Sequence, residues 1–266
     1  MTVKGISVVI NTYNASEHLA EVLESVRGFD EIVVCDMEST DDTREIAARY
    51  GCKVVIFPKG NYNIAEPARN FAISSAENEW VLVVDADELI PDALREYAYD
   101  FLEKHGDEYV GLKIPRKNYM LHHFMRSSYP DYQLRLFKKG GSNWPPTVHA
   151  TIQLEGDVAK IPSSREDLAM VHISSSAEAM FRRMNQYSGS ELVRRKEMHV
   201  TFAKLVFSPA FRFIKTYFFK GGIRYGRLGF IHAYKNAMYK FMVLTKFYEK
   251  EQNEKFWNEH GHHENK

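Results

Sequence analysis

Apolar residues gather in four short runs in the first third of the chain, at 6–10, 32–35, 54–57 and 81–84, each of strand length and rich in Val and Ile. Helical patterning lies between the first three. Asn14 and Glu17 have the spacing of a capping box, Leu19, Val22, Leu23 and Val26 then share one helical face, and Gly28 supplies a stop. A second helix is expected to start at 39–42, turn Ile46 and Ala47 inward and end at Gly51. Near-continuous Val/Ile strands alternating with amphipathic helices predict a doubly wound, Rossmann-like α/β sheet, parallel and covered on both faces. From about residue 110 the rhythm breaks. Pro115, Pro130, Pro145, Pro146 and Pro162 punctuate short segments rich in Tyr, His and Arg, which predicts loops and small strands around a site. Beyond residue 174 the pattern is helical again to Tyr248, ahead of a polar tail expected to fray. The expected division is a catalytic domain 1–175 in two halves (1–110 and 111–175), a helical extension 176–250 and a tail 251–266.

Composition adds bounds. With 266 residues, 44% hydrophobic and 26% charged, the chain can bury a full core and is expected to be ordered almost throughout. Two cysteines, Cys35 in an apolar run and Cys52 beside a glycine, offer neither a disulfide framework nor a cysteine zinc site, which suits a reducing compartment. The first apolar run is too short and wrongly flanked for a signal peptide, so secretion is not expected. The formal charge of zero conceals an asymmetry: residues 180–250 hold 15 Lys and Arg against Glu191, Glu197 and Glu249, a balance of +12 that leaves −12 elsewhere. Two surfaces with different partners follow. Charges such as Lys204, Arg212, Lys215, Lys235, Lys240 and Lys246 interrupt every apolar stretch of membrane-spanning length.

The sharpest chemical signal is Asp85-Ala86-Asp87-Glu88 after the fourth run. Aspartates at i and i+2 after a buried strand project to one side, and the small Ala86 leaves room for a ligand. Mg²⁺ or Mn²⁺ is the natural guest, because these ions prefer carboxylate oxygens and bridge to diphosphate oxygens. The same acids could instead cap the next helix, with Pro91 early in it.

Four segments taken together strongly resemble the family 2 glycosyltransferases in order and spacing: 8–14 (Val-Val-Ile-Asn-Thr-Tyr-Asn), 31–43 around Asp36, Ala68-Arg69-Asn70 and the Asp85-Ala86-Asp87 run. Segments 114–119, 129–137 and 146–149, with 208–217 followed by Gly221 and Gly226, are similar to the WaaE-like branch that adds sugars to the lipopolysaccharide inner core. The resemblance covers nearly the whole chain. It implies a GT-A fold with a C-terminal helical extension and an inverting, metal-dependent hexosyltransferase. The donor would be a nucleotide-sugar, with UDP as the expected leaving group, and the acceptor a saccharide or glycolipid. Thr12 and Asp36 would contact the nucleoside, Arg69 the diphosphate, and Asp85 both cofactor and metal. Asp87 would hold the metal with His149 or His172 as a third ligand, His149 being preferred. Asp131 would be the general base, its pKa raised by burial, with Glu88 the rival base; Asp131 could instead be a turn acid paired with Arg135 or Arg116. His149-Ala150 and Tyr225 depart from residues common in relatives, which leaves acceptor choice open. A nucleotidyltransferase and a silent nucleotide-sugar or membrane module are the other readings. The absence of a Gly-rich basic loop after the first strand speaks against the nucleotidyltransferase, and the acids Asp85, Asp87 and Asp131 against the silent module.

In the extension, Phe207, Phe211, Phe213, Tyr217, Phe218, Phe219, Phe230, Tyr234, Phe241 and Phe247 interleave with Lys and Arg. Peripheral attachment to an anionic membrane, on the cytoplasmic face, is expected. The alternative is that these rings complete a core or a homodimer contact. No nucleic-acid partner is expected.

Overall fold

The structure, a computed structural model, describes residues 4–60, 66–145, 151–173, 176–194 and 198–261. The chain forms two units, Met1–Ser174 and Ser175–Lys266. In the first, β1 (Ile6–Thr12), α1 (Leu19–Ser25), β2 (Glu31–Asp36), α2 (Thr43–Arg49), β3 (Lys53–Ile56), α3 (Glu66–Ser74) and β4 (Trp80–Asp85) alternate. Then come β5 (Glu88–Leu89), α4 (Asp92–His105), β6 (Gly111–Ile114), β7 (Arg116–Met120), β8 (His123–Phe124), β9 (Gln133–Lys138), β10 (Val158–Lys160) and β11 (Met170–His172).

The main sheet has the order β10-β6-β9-β4-β1-β2-β3. β1 is parallel to β2 and β4, and β2 to β3, whereas β9 runs antiparallel between β4 and β6. The sheet is therefore mixed rather than wholly parallel. Its strands were legible because both faces are covered: Ile6, Val8, Ile10, Trp80, Leu82 and Val84 enter one core cluster, while Val9, Val81 and Val83 enter the other. Each such side chain contributes roughly 1.5–3 kcal/mol by leaving water. A second sheet has the order β5-β11-β7-β8, and its first strand, β5, follows β4 directly in the chain.

The predicted capping box is not formed. His18 occupies the cap of α1 without a side-chain bond. Asn14 sits instead in a left-handed turn at φ 48°, and its Oδ1 accepts the Thr40 N–H, tying the loop after β1 to the loop after β2. Asp41 does support α2, accepting the N–H of Thr43 at 3.1 Å.

The second unit contains α5 (Ala177–Arg194), α6 (Phe202–Ile214) and α7 (Gly226–His260). Thr201 caps α6 by accepting the Lys204 N–H, and no residue of α6 is fully buried. The turn before α7 is tight: a Cβ added to Gly229 would stand 1.7 Å from the Gly222 carbonyl oxygen, so only glycine permits that approach. α7 runs on through 251–260, where a frayed tail was expected. No helix among the described residues is long and apolar enough to cross a membrane.

Candidate active site

Thr12, Asp36 and Asp85 lie at the carboxyl ends of the adjacent strands β1, β2 and β4. Thr12 pairs in register with Asp36, and Asn11 with Asp85. This is the edge at which open α/β sheets bind ligands. Asp36 is fully enclosed. Its Oδ1 accepts from Thr12 Oγ1 at 3.0 Å and from Ser39 Oγ, its Oδ2 accepts the Ser39 N–H at 2.8 Å, and Arg44 Nε lies 3.9 Å from Oδ2. Thr12 and Asp36 thus form one hydrogen-bonded pair, with one acceptor direction left on Oδ2. Both amide atoms of Asn11 beside them are buried without a hydrogen-bond partner.

Asp85 is held between two guanidinium groups. Arg69 Nη2 donates to its Oδ1 at 2.8 Å and Arg135 Nη2 donates to its Oδ2. Burial opposes ionisation, but Arg135 and Arg69 outweigh it and hold the Asp85 carboxyl far below the usual carboxylate range. The structure thus gives Asp85, expected as a metal ligand, a different pair of partners. Arg69 also lies over the Trp144 ring, 4.5 Å from its centroid. Asn70 fixes that loop, donating to the Trp144 carbonyl at 2.9 Å and accepting the Trp144 N–H at 2.8 Å. Arg69 Nε and Nη1 are buried with no partner, which leaves a cation with unused donors beside the acid pair.

Glu88 is fully enclosed and ties the loop together. It accepts the Asp85 N–H at 3.0 Å, Arg116 Nη1 at 2.7 Å and Arg135 Nη2 at 2.9 Å. Burial alone would lower the pKa of Arg116, but Glu88 and Asp131 raise it. Asp131, just after the cis Tyr129–Pro130 bond, faces the same arginine. Its Oδ2 accepts from Arg116 Nε at 3.0 Å, Arg116 Nη2 at 2.6 Å and Asn118 Nδ2 at 2.9 Å, while Oδ1 accepts only from Gln133 Nε2 at 3.0 Å. The expected upward shift is reversed. Burial raises the Asp131 carboxyl, but the hydrogen bonds from Asn118 and Arg116 prevail and hold it below its ordinary value.

Asp87 meets a histidine. His172 Nε2 is 3.4 Å from Asp87 Oδ2, and the Ile173 N–H donates to the Asp87 carbonyl at 2.8 Å. His149, the preferred third ligand, lies outside the described residues. His123 is exposed and bonded to the Leu121 carbonyl. Among the described residues no three or more His, Cys, Asp and Glu gather into a complete metal cage. Arg116, Asn118 and Trp144 were not singled out from the sequence as site residues. Arg116 and Asn118 do fall in segment 114–119, on which the family resemblance partly rests, whereas Trp144 had only its position after the acid motif.

The Glycosyl transferase family 2 profile matches residues 7–154. The chain is 27% identical over 257 residues to a lipopolysaccharide core biosynthesis glycosyltransferase of Rhizobium meliloti, covering 92% of each chain. It is 30% identical over 263 residues to an uncharacterized glycosyltransferase of Rickettsia conorii, covering 92% of this chain and 90% of the other. Among solved structures it is similar to a mannosyltransferase from Pyrobaculum calidifontis in complex with GDP-mannose and Mn²⁺, with a TM-score of 0.53 and 15% identity over 91% of this chain and 86% of that one. That likeness fixes the fold as GT-A. The profile match, which spans the βα half, the Asp85–Asp87 loop and Asp131, places the chain in glycosyl transferase family 2.

Proposed function

We propose that this chain transfers a sugar, with inversion, from a UDP-sugar to a hydroxyl of a lipid-linked or lipopolysaccharide-type saccharide, at the cytoplasmic face of a membrane. The observation that carries the reading is the gathering of Asp131 on Arg116 and of Asp87 on His172, with Asn118 bonded to both Asp131 and His172, next to the Asp85–Arg135–Glu88 ion pairs. The relative in Rhizobium meliloti, named for lipopolysaccharide core biosynthesis, supports the acceptor class.

In this reading Thr12 and Asp36 form the nucleoside end of the site, Asp36 acting through Thr12 and Ser39, whose hydroxyls it holds. The unused N–H groups of Arg69 serve the diphosphate, for which a guanidinium fork is well matched. Asp87 Oδ2 and His172 Nε2 suit Mg²⁺ or Mn²⁺: one carboxylate and one imidazole, too few for a cage, leave coordination positions for diphosphate oxygens and water. When bound, the ion neutralises charge on the departing nucleotide. Asp85 then acts through the two arginines it orients. The open acceptor direction of Asp131 is on Oδ1, and there it takes the proton of the attacking hydroxyl.

The test is slow donor hydrolysis across UDP-, GDP- and dTDP-sugars, with and without EDTA. Release of free UDP from one UDP-sugar, abolished by chelator, is expected. Pyrophosphate exchange would return the nucleotidyltransferase reading, and turnover in excess EDTA would remove the metal.

A further inference from the structure

The small sheet places three polar residues side by side across its strands. β11 pairs antiparallel with β5, setting His172 against Glu88, and parallel with β7, setting His172 against Asn118. Asn118 Nδ2 donates to Asp131 Oδ2 at 2.9 Å, and Asn118 Oδ1 lies 2.9 Å from His172 Nδ1. A single amide therefore touches both the acceptor-side acid and the histidine that faces Asp87.

Its orientation is not free. An ionised carboxylate can only accept, so the group Asn118 turns to Asp131 must be its NH₂. The carbonyl oxygen is then the group left for His172, and it too can only accept. His172 Nδ1 must carry a proton, so in the tautomer able to ligate a metal the lone-pair nitrogen is Nε2, 3.4 Å from Asp87 Oδ2. Two electron-rich atoms at that separation are suited to share a cation. A rotated amide would oppose its carbonyl to the Asp131 carboxylate, and that bond would be lost.

We infer that Asn118 is a positioning residue that fixes the His172 tautomer for metal binding and, through its other end, orients Asp131, so that the metal side and the base side of the site are set by one amide. This rests on the assignment of Asp87 and His172 to the metal proposed above. Ligating histidines commonly have such a partner on the remote nitrogen, and here that partner is shared with a second acid.

The experiment measures Mn²⁺ affinity by electron paramagnetic resonance on the full chain with saturating UDP, and transfer kinetics in parallel, for Asn118→Leu, Asn118→Asp and His172→Ala. Thermal unfolding of each variant reports folding. Asn118→Leu should weaken Mn²⁺ binding by about 10- to 100-fold, because His172 loses its orienting acceptor. Asn118→Asp keeps an acceptor for His172 Nδ1–H but puts a like charge against Asp131. It should bind Mn²⁺ within about threefold of the parent or more tightly, yet lose about a hundredfold in kcat with donor KM unchanged. Should Asn118→Leu fail to fold, the divergence of metal affinity and kcat in Asn118→Asp decides alone. Parental Mn²⁺ affinity in Asn118→Leu, equal weakening in both variants, or full transfer by Asn118→Asp would each overturn the inference. If His172→Ala leaves Mn²⁺ affinity unchanged, the metal assignment itself is wrong, and that outcome is distinct from the others.

Discussion

Glu88 and Asp131 share Arg116, and access separates what the two carboxylates can do. Glu88 is fully enclosed and its oxygens serve Arg116, Arg135 and the Asp85 N–H, so no acceptor hydroxyl can reach it. Asp131 is partly exposed and retains an open position on Oδ1. Replacing Asp131 with Asn removes basicity while keeping shape. Transfer is expected to fall by at least about a hundredfold with donor KM within about twofold of the parent, measured by steady-state kinetics. Near-parental transfer would remove Asp131 from the role of base. The low pKa of Asp131 adds a pH signature, since a carboxylate held below its ordinary value of about 3.9 is already ionised at neutral pH. No loss of kcat/KM attributable to this group is expected between about pH 8 and 5. An acid limb centred near pH 6 that disappears in Asp131→Asn would contradict it.

At the scale of elements, the site depends on strands of two sheets meeting: β4 and β9 bring Asp85 and Arg135, and β5 and β7 bring Glu88 and Arg116. Removing the charge of Glu88 leaves two buried guanidinium groups without their shared counter-charge. Glu88→Gln should therefore destabilise the first unit by about 3–5 kcal/mol, read as a lower denaturant midpoint. A variant as stable as the parent would mean that Asp85 and Asp131 suffice to hold both arginines. Asp131 stabilises the fold wherever its carboxyl is ionised in both folded and unfolded chains, and that contribution is lost as pH falls through the depressed folded pKa. The gap in unfolding temperature between the parent and Asp131→Asn should therefore be full at pH 7 and shrink below about pH 4. The strands and their acids were legible in the sequence because burial on both faces writes Val/Ile runs, and Asp36, Asp85 and Asp87 stand where those runs end. The antiparallel β9 was not, since pairing direction leaves no mark on its alternation. The pairings of Arg116 with Glu88 and of Arg135 with Asp85 were not, because those partners are 28 and 50 positions away in sequence and adjacent only once both sheets form. Asn14 misled for the same reason. Its side chain answers a loop 26 residues on rather than its own helix.

For the molecule as a whole, the proposed membrane attachment rests on the second unit. Between residues 198 and 248 there are nine Lys and Arg and no Asp or Glu. The ten aromatics named above divide into groups, with Phe241 lining the groove between α6 and α7. Phe247 is buried, while Phe213, Tyr217, Phe230 and Tyr234 pack ring against ring. Phe207, Phe211, Phe218 and Phe219 are turned outward, Phe219 being 80% exposed, alongside an apolar groove of about 610 Å³ between α6 and α7. A core reading accounts for Phe247 and leaves the exposed rings, Phe230 and Tyr234 included, unexplained. Apolar rings amid cations fit an anionic lipid surface, where each Lys or Arg contributes about 1 kcal/mol and each inserted ring contributes by leaving water. Flotation with vesicles containing phosphatidylglycerol should carry the full chain upward, and phosphatidylcholine vesicles should carry much less. Binding should weaken as salt rises, since headgroup attraction is screened. The paired change Phe218→Ser with Phe219→Ser should lower partitioning by about tenfold, a loss of about 1.4 kcal/mol of ring insertion, while leaving donor hydrolysis intact. If the chain ignores anionic lipid and instead sediments as a dimer that the same pair of substitutions dissociates, the outward rings form a contact between copies, and the membrane assignment fails.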